Sequence, residues 1–184
     1  MVKELSLPGL KLVELKIFKD DRGFFTERYV ASRFQEAGIS ASFIQDNHSR
    51  SKPGVIRGLH YQSNPAQGKL VGVIRGRIWD VVVDLRQGSA TYGKWEGVEL
   101  SDENGRLLWV PAGFAHGFCV LGDQDADVMY KVDAPYSPST EGGIVYNDPG
   151  LAIKWPVAAP VVSGKDQVLP VFSAYALDPV FKNG

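Results

Sequence analysis

Gly54-Val-Ile-Arg57-Gly-Leu-His60-Tyr-Gln62, then Gln67-Gly-Lys69, then Gly105-Arg-Leu-Leu-Trp-Val-Pro111-Ala-Gly113-Phe-Ala-His116: this stretch decides the reading of the chain. It places two of the three histidines in short segments punctuated by glycine. If the first segment is a strand, His60 and Gln62 share a face, and an inward face aims His60 into a cavity. A core histidine held by hydrogen bonds is an equal reading of that pattern alone. Lys69 is harder to place in a core, because lysine is rarely buried without a partner. Standing alone, it would read as a solvated hairpin residue. His116 follows the tight turn Pro111-Ala-Gly113, which can drop the next strand into a barrel mouth, although a lone histidine there is more often structural.

The surrounding pattern is that of short strands. Trp79, Val81, Val83 and Leu85 alternate with Asp80, Val82 and Asp84, a period of two. Leu70 to Ile74 precedes this run, with Arg75-Gly76-Arg77 as the turn between them. Glu96 to Leu100, the turn Asp102 to Gly105 and Leu107 to Val110 read as a hairpin on the strength of Asn104-Gly105. Asp127 to Val132 is a further strand. One helix is predicted over Val30 to Ala37, closed by Gly38. Twenty glycines and eleven prolines leave little room for longer helices. Short strands at this spacing predict a β-sandwich or barrel. After Tyr136 the chain is aperiodic and rich in proline, which predicts loops and short helical turns packed over the barrel. The whole of residues 1–184 reads as one domain.

Composition bounds the function. With 184 residues, 44% hydrophobic and 22% charged, the chain is long enough for a real core. A net charge of −1 with interspersed signs argues against nucleic acid and membrane surfaces. Neither a basic-then-apolar leader nor a long apolar run appears, so a cytoplasmic protein is expected. The single Cys119, in an apolar run, reads as a buried small hydrophobe. Tyr130 alternates with Val128 and Val132, the pattern of a core tyrosine. Asp166 lies in an irregular region where a solvated turn is the default.

Taken together, these segments resemble a known family. The two histidine stretches resemble the paired motifs of the cupin superfamily, β-barrels that usually hold a metal through two His, one Glu and a later His. Here Gln62 stands where the second His would be, and Gln67 or Lys69 falls at the carboxylate. That is a thin donor set for a metal, so no metal and no cofactor are expected, and acid–base chemistry falls to side chains. Over nearly the whole chain the motifs resemble the dTDP-4-dehydrorhamnose 3,5-epimerases. They include Asp21-Arg22-Gly-Phe-Phe25-Thr-Glu27, Gln45-Asp-Asn47-His-Ser49, Arg57-Gly-Leu-His60, Tyr130-Lys131, Tyr146-Asn-Asp-Pro149 and Ser163-Gly-Lys165-Asp166. Tyr146 stands where the family commonly has Trp, and Gly164 where it often has Glu.

The resemblance implies a cupin-like double-stranded β-helix with a C-terminal irregular segment. It implies an isomerase that inverts C3 and C5 of dTDP-4-keto-6-deoxy-D-glucose through an enolate, giving dTDP-4-keto-L-rhamnose. By family position His60 is the base, Asp166 its carboxylate partner, Lys69 the cation near the enolate oxygen and Tyr130 the proton donor. His116 lines the sugar pocket. Arg22, Arg57 and Lys165 take the phosphates, and Tyr136 stacks on the nucleobase. Phe25, Glu27, Gln45 and Asn47 surround base and sugar, and Glu141 completes the set. The N-terminal 45 residues or so are expected to cross to a second subunit, so that Arg22, Phe25 and Glu27 serve a neighbour's site in a homodimer. The rivals are an epimerase acting at one carbon of another dTDP-keto-deoxysugar, a metal-dependent cupin, and a non-catalytic sugar-nucleotide binding module.

Overall fold

The computed structural model describes residues 1–182. Strands β1 (Val2–Glu4), β2 (Lys11–Glu14), β3 (Ile17–Asp20) and β4 (Gly23–Thr26) come first, followed by helix α1 (Ala31–Glu36). Then come β5 (Gln45–Ser51), β6 (Val55–Gln62), β7 (Lys69–Arg75) and β8 (Arg77–Asp84). β9 (Trp95–Ser101), β10 (Arg106–Val110), β11 (Phe114–Val120) and β12 (Ala126–Val132) complete the long strands. Beyond them lie β13 (Glu141–Gly143), β14 (Val161–Val162) and the single-turn helices α2 (Gly164–Gln167) and α3 (Phe172–Tyr175).

Two sheets carry the architecture. One has the order β1-β2-β10-β7-β12-β5, the other β13-β6-β11-β8-β9 with β14 added in parallel to β6, and β3 and β4 form a separate hairpin. The result is the all-β, two-sheet arrangement that the strand spacing predicts, in the cupin-like form that the resemblance implies. Between the sheets lies one apolar layer. Val71, Val73, Leu108 and Val128 enter it from the first sheet, and Ile78, Val82, Leu100 and Phe118 from the second. Burying such a side chain fully is worth roughly 1.5–3 kcal/mol relative to exposure, so this layer holds the sheets together.

The alternation on β8 sorts its two faces in an unexpected way. Val81 and Val83, with Trp79 packed beside them, do not face the other sheet but a second cluster with Ile144, Leu151 and Tyr175. The aperiodic C-terminal segment therefore packs over the outer face, as expected. Ile78 and Val82 face the layer between the sheets, and Asp80, of the same parity, is fully buried.

Glu96 to Val110 is not a hairpin, contrary to the sequence expectation. β9 pairs with β8, whereas β10 pairs with β2 and β7 in the other sheet. The tight turn itself is present: Asn104 Oδ1 accepts from the backbone N–H groups of Ser101 and Arg106, and Gly105 has φ +60°. An Asn-Gly signal specifies a local reversal, not the sheet that the next strand joins. The chain crosses between sheets here, as it does at Gly76 between β7 and β8.

The predicted helix is α1. Gly38, at φ +75°, donates to the Gln35 carbonyl and ends it, while Phe34 and Ile39 bury against Trp109. Cys119 is buried as expected, and burial pushes its thiol up to about 11. Among the described residues no helix is long and apolar enough to cross a membrane.

Candidate active site

A cavity of about 510 Å³ opens between the sheets, and both contribute to its walls. From the second sheet come Arg57, His60 and His116; from the first come Lys69 and Tyr130. Ser163, the cap residue of α2, and Lys165 and Asp166 within that helix complete the lining.

His60 and His116 are direct cross-strand partners on β6 and β11, so their rings project to the same side. One residue further on, the two backbones approach unusually closely. A Cβ on Gly58 would lie 2.6 Å from Gly117 Cα, and one on Gly117 would lie 2.6 Å from the Arg57 carbonyl oxygen. The pairing register shifts between His116 and Phe118. Glycine is required at both positions for this approach.

Asp166 is the buried member of the site. The Ser163 hydroxyl accepts from its backbone N–H, which starts α2 and turns the carboxylate inward. Oδ1 lies 2.7 Å from His60 Nε2, and Oδ2 accepts from the backbone N–H of Gly58 at 3.3 Å. A carboxylate accepts only, so the His60 tautomer carries its proton on Nε2 and leaves Nδ1 as a free acceptor. Burial lowers the His60 pKa, against the opposing pull of Asp166. The default reading of Asp166 as a solvated turn is overturned, since only 6% of its side chain is exposed.

Opposite, Tyr130 faces Val71 across the β12–β7 ladder, and Lys69 lies two residues before Val71. Tyrosine and lysine thus share one face of the first sheet. Burial drives the Lys69 ammonium down to about 8, with Glu141 and Asp80 pulling the other way. Burial also raises the Tyr130 phenol, which keeps it protonated as a hydrogen-bond donor. Behind His116 stands Asp80, both of whose oxygens lie 2.9 Å from Nε2.

The remaining expected residues divide into a rim and a remote group. At the rim, Tyr136 donates its hydroxyl to Glu141 Oε2 at 3.1 Å, and Lys165 Nζ reaches the same oxygen at 2.6 Å. Arg57 is braced by Ser51 Oγ and the Arg50 carbonyl. Gln45 donates to Asn47 Oδ1, and both share a strand face with Ser49, which lines the cavity. Arg22, Phe25 and Glu27 are not brought to this cavity within the chain. Arg22 pairs with Asp20, Glu27 with Arg33, and Phe25 is exposed against Phe18, all on or beside the β3–β4 hairpin.

Sequence reasoning did not single out Asp80, Ser49 or Ser163. For Asp80 a signal existed, a carboxylate inside an otherwise apolar strand run. For the two serines there was none. Of the two departures from the family pattern, Gly164 faces open space and Tyr146 contributes its carbonyl to Trp155. Among the described residues, no three His, Cys, Asp or Glu side chains converge as a metal site would need.

A family described as dTDP-4-dehydrorhamnose 3,5-epimerase matches residues 4–174 of the chain. A curated relative of that name from Pseudomonas aeruginosa is 53% identical over 165 residues, 89% of this chain and 91% of its own. A relative of the same name from Neisseria gonorrhoeae is 50% identical over 89% of this chain, which spans half of that protein's length. Among solved structures, the Legionella pneumophila dTDP-6-deoxy-D-glucose-3,5-epimerase in complex with dTDP-4-keto-L-rhamnose superposes with a TM-score of 0.90. It is 49% identical, with 94% of this chain and 93% of that one covered.

Proposed function

The chain belongs to the dTDP-4-dehydrorhamnose 3,5-epimerase family, and from that premise we propose that it inverts C3 and C5 of dTDP-4-keto-6-deoxy-D-glucose. The observation that carries the reading is the placement of the His60–Asp166 dyad and Tyr130 on opposite walls of one cavity. Inversion requires a proton to leave one face of a carbon and another to arrive on the opposite face. A base on one sheet and a phenol on the other meet that requirement.

The C3 and C5 protons are acidic because the C4 carbonyl takes up the charge as an enolate. His60 Nδ1 removes the proton, and Asp166 stabilises the imidazolium that forms. Lys69 offers a positive charge to the developing oxyanion from a partly desolvated position, where it is worth more than in water. Tyr130 returns a proton from the far side, and the dyad serves both carbons in turn. Arg57 and Lys165 take the diphosphate, with Lys165 exchanging Glu141 for phosphate oxygens. Tyr136 offers its exposed ring to the nucleobase. Arg22, Phe25 and Glu27, remote from their own cavity, complete that of a second subunit in a homodimer. The proposed place of work is the cytoplasm.

The decisive experiment is conversion of the keto sugar in deuterium oxide. Deuterium is expected at both C3 and C5 of the product. Label at one carbon only would assign the chain to the single-carbon epimerases, and no label would remove epimerisation altogether.

The pH dependence of kcat/KM follows from the same groups, because it reports the free enzyme. His60 must be neutral to act as a base, and its pKa lies below the ordinary histidine value, so activity rises through a limb on the acid side of 6.5. Lys69 must be charged, and its proton is lost through about 8, so activity falls above that pH. Lys69→Arg, whose guanidinium stays protonated throughout, should lose the alkaline limb while turning over more slowly. A wild-type profile flat to pH 10 would show that the charge of Lys69 does not contribute.

A further inference from the structure

We infer that Gln62 is a positioning residue for the nucleotide, its buried amide fixing the backbone on both sides of Tyr136. The inference rests on the reading of Tyr136 as the platform for the nucleobase. Gln62 is only 3% exposed and does not line the cavity that holds His60, Lys69 and Tyr130. Its Nε2 donates to the Pro135 carbonyl at 2.9 Å and to the Pro65 carbonyl at 2.8 Å. Its Oε1 accepts from the Ser137 backbone N–H at 2.7 Å. The residues gripped, Pro135 and Ser137, are the two that flank Tyr136.

Tyr136 itself is 56% exposed, and its hydroxyl has Glu141 as its hydrogen-bond partner. A ring in that position is not held by packing, so its orientation depends on the backbone that carries it. Gln67 assists by donating to the Ala134 carbonyl, and Thr140 ties the far end of the loop to Asn64. Among the described residues only Gln62 has a side chain that bonds to both neighbours of the ring. An amide is the side chain for the task, because it donates and accepts from one planar group. The position is also the one where a metal-binding barrel of this type would place a histidine. Here the strand that carries His60 spends that position, two residues on, on the nucleotide loop.

The test is a double-mutant cycle read by binding of dTDP to the full-length protein. Stacking is typically worth about 1–3 kcal/mol per base, so Tyr136→Ala should weaken dTDP roughly 5- to 150-fold. Gln62→Met keeps the bulk and removes the donors and the acceptor, and should weaken dTDP about tenfold, with kcat on the keto sugar falling much less. In the Tyr136→Ala background, Gln62→Met should cost less than about twofold more, because the ring it positions is gone. Gln62→Glu, which keeps the bond from Ser137, carries the same cycle if the Met variant does not fold. An undiminished effect of Gln62→Met or Gln62→Glu in the Tyr136→Ala background would overturn the inference and leave Gln62 as general support. If Tyr136→Ala alone left dTDP affinity unchanged, the stacking reading would fall, and the inference with it.

Discussion

His60→Ala is expected to abolish solvent exchange at both C3 and C5, not merely to slow inversion. On the proposed roles the His60–Asp166 dyad is the base, and its ring keeps an acceptor nitrogen for the sugar. Asp166 commits one oxygen to His60 and the other to the Gly58 amide, which leaves Nδ1 of the ring for the substrate. His116, the other ring in the cavity, has Nε2 held by both oxygens of Asp80 and projects beside His60, not in its place. Without His60 no enolate forms, and both exchange and inversion fail together. General bases contribute typically ~10²- to 10⁴-fold, and serving two successive deprotonations puts this loss at the upper end. Exchange measured by NMR in deuterium oxide separates enolate formation from turnover. Persistent exchange in His60→Ala would remove the base from the mechanism and return His60 to a structural role.

Tyr130→Phe should fail differently. The substitution removes one hydroxyl and leaves the ring packed against the core layer, so the shape of the cavity survives. The base and the cation remain, and deprotonation continues. Exchange with retention at the reacting carbon is therefore expected to persist while inversion falls ~10²- to 10⁴-fold. The raised pKa of Tyr130 keeps it in the donor form across the working range, so the defect should not depend on pH below its ordinary value of about 10. Full inversion by Tyr130→Phe would show that water or another residue delivers the second proton.

What could be read from the sequence was governed by locality. The strand at Trp79 to Leu85 announces itself by its period, and Gly38 announces the end of α1, because both signals lie within a few residues. Which face of β8 turns inward was not legible, since the apolar face is covered by Tyr175 and Leu151, about ninety and seventy residues away. The supposed hairpin at Asn104-Gly105 failed for the same reason: the turn is local, but the choice of sheet is not. In the site, His60 and Lys69 carry weak signals of their own. Asp166 carries none, because its burial depends on β14 laying α2 against β6. Its assignment came from the resemblance, and the same holds for Arg22, Phe25 and Glu27, which the single chain does not bring to the cavity.

On the proposed roles, base and acid both stand on strands of the two sheets, not on loops. His60 stands on one sheet and Tyr130 on the other, and the spacing of those sheets is set by the apolar layer packed between them. A close-packed interior yields little to compression and transmits displacement instead of absorbing it. The hydrophobic core is therefore a gauge block as well as an adhesive. Many enzymes close a lid to bring acid and base into line; here the alignment is finished when the protein has folded, and the stereochemical outcome is written into the width of its core.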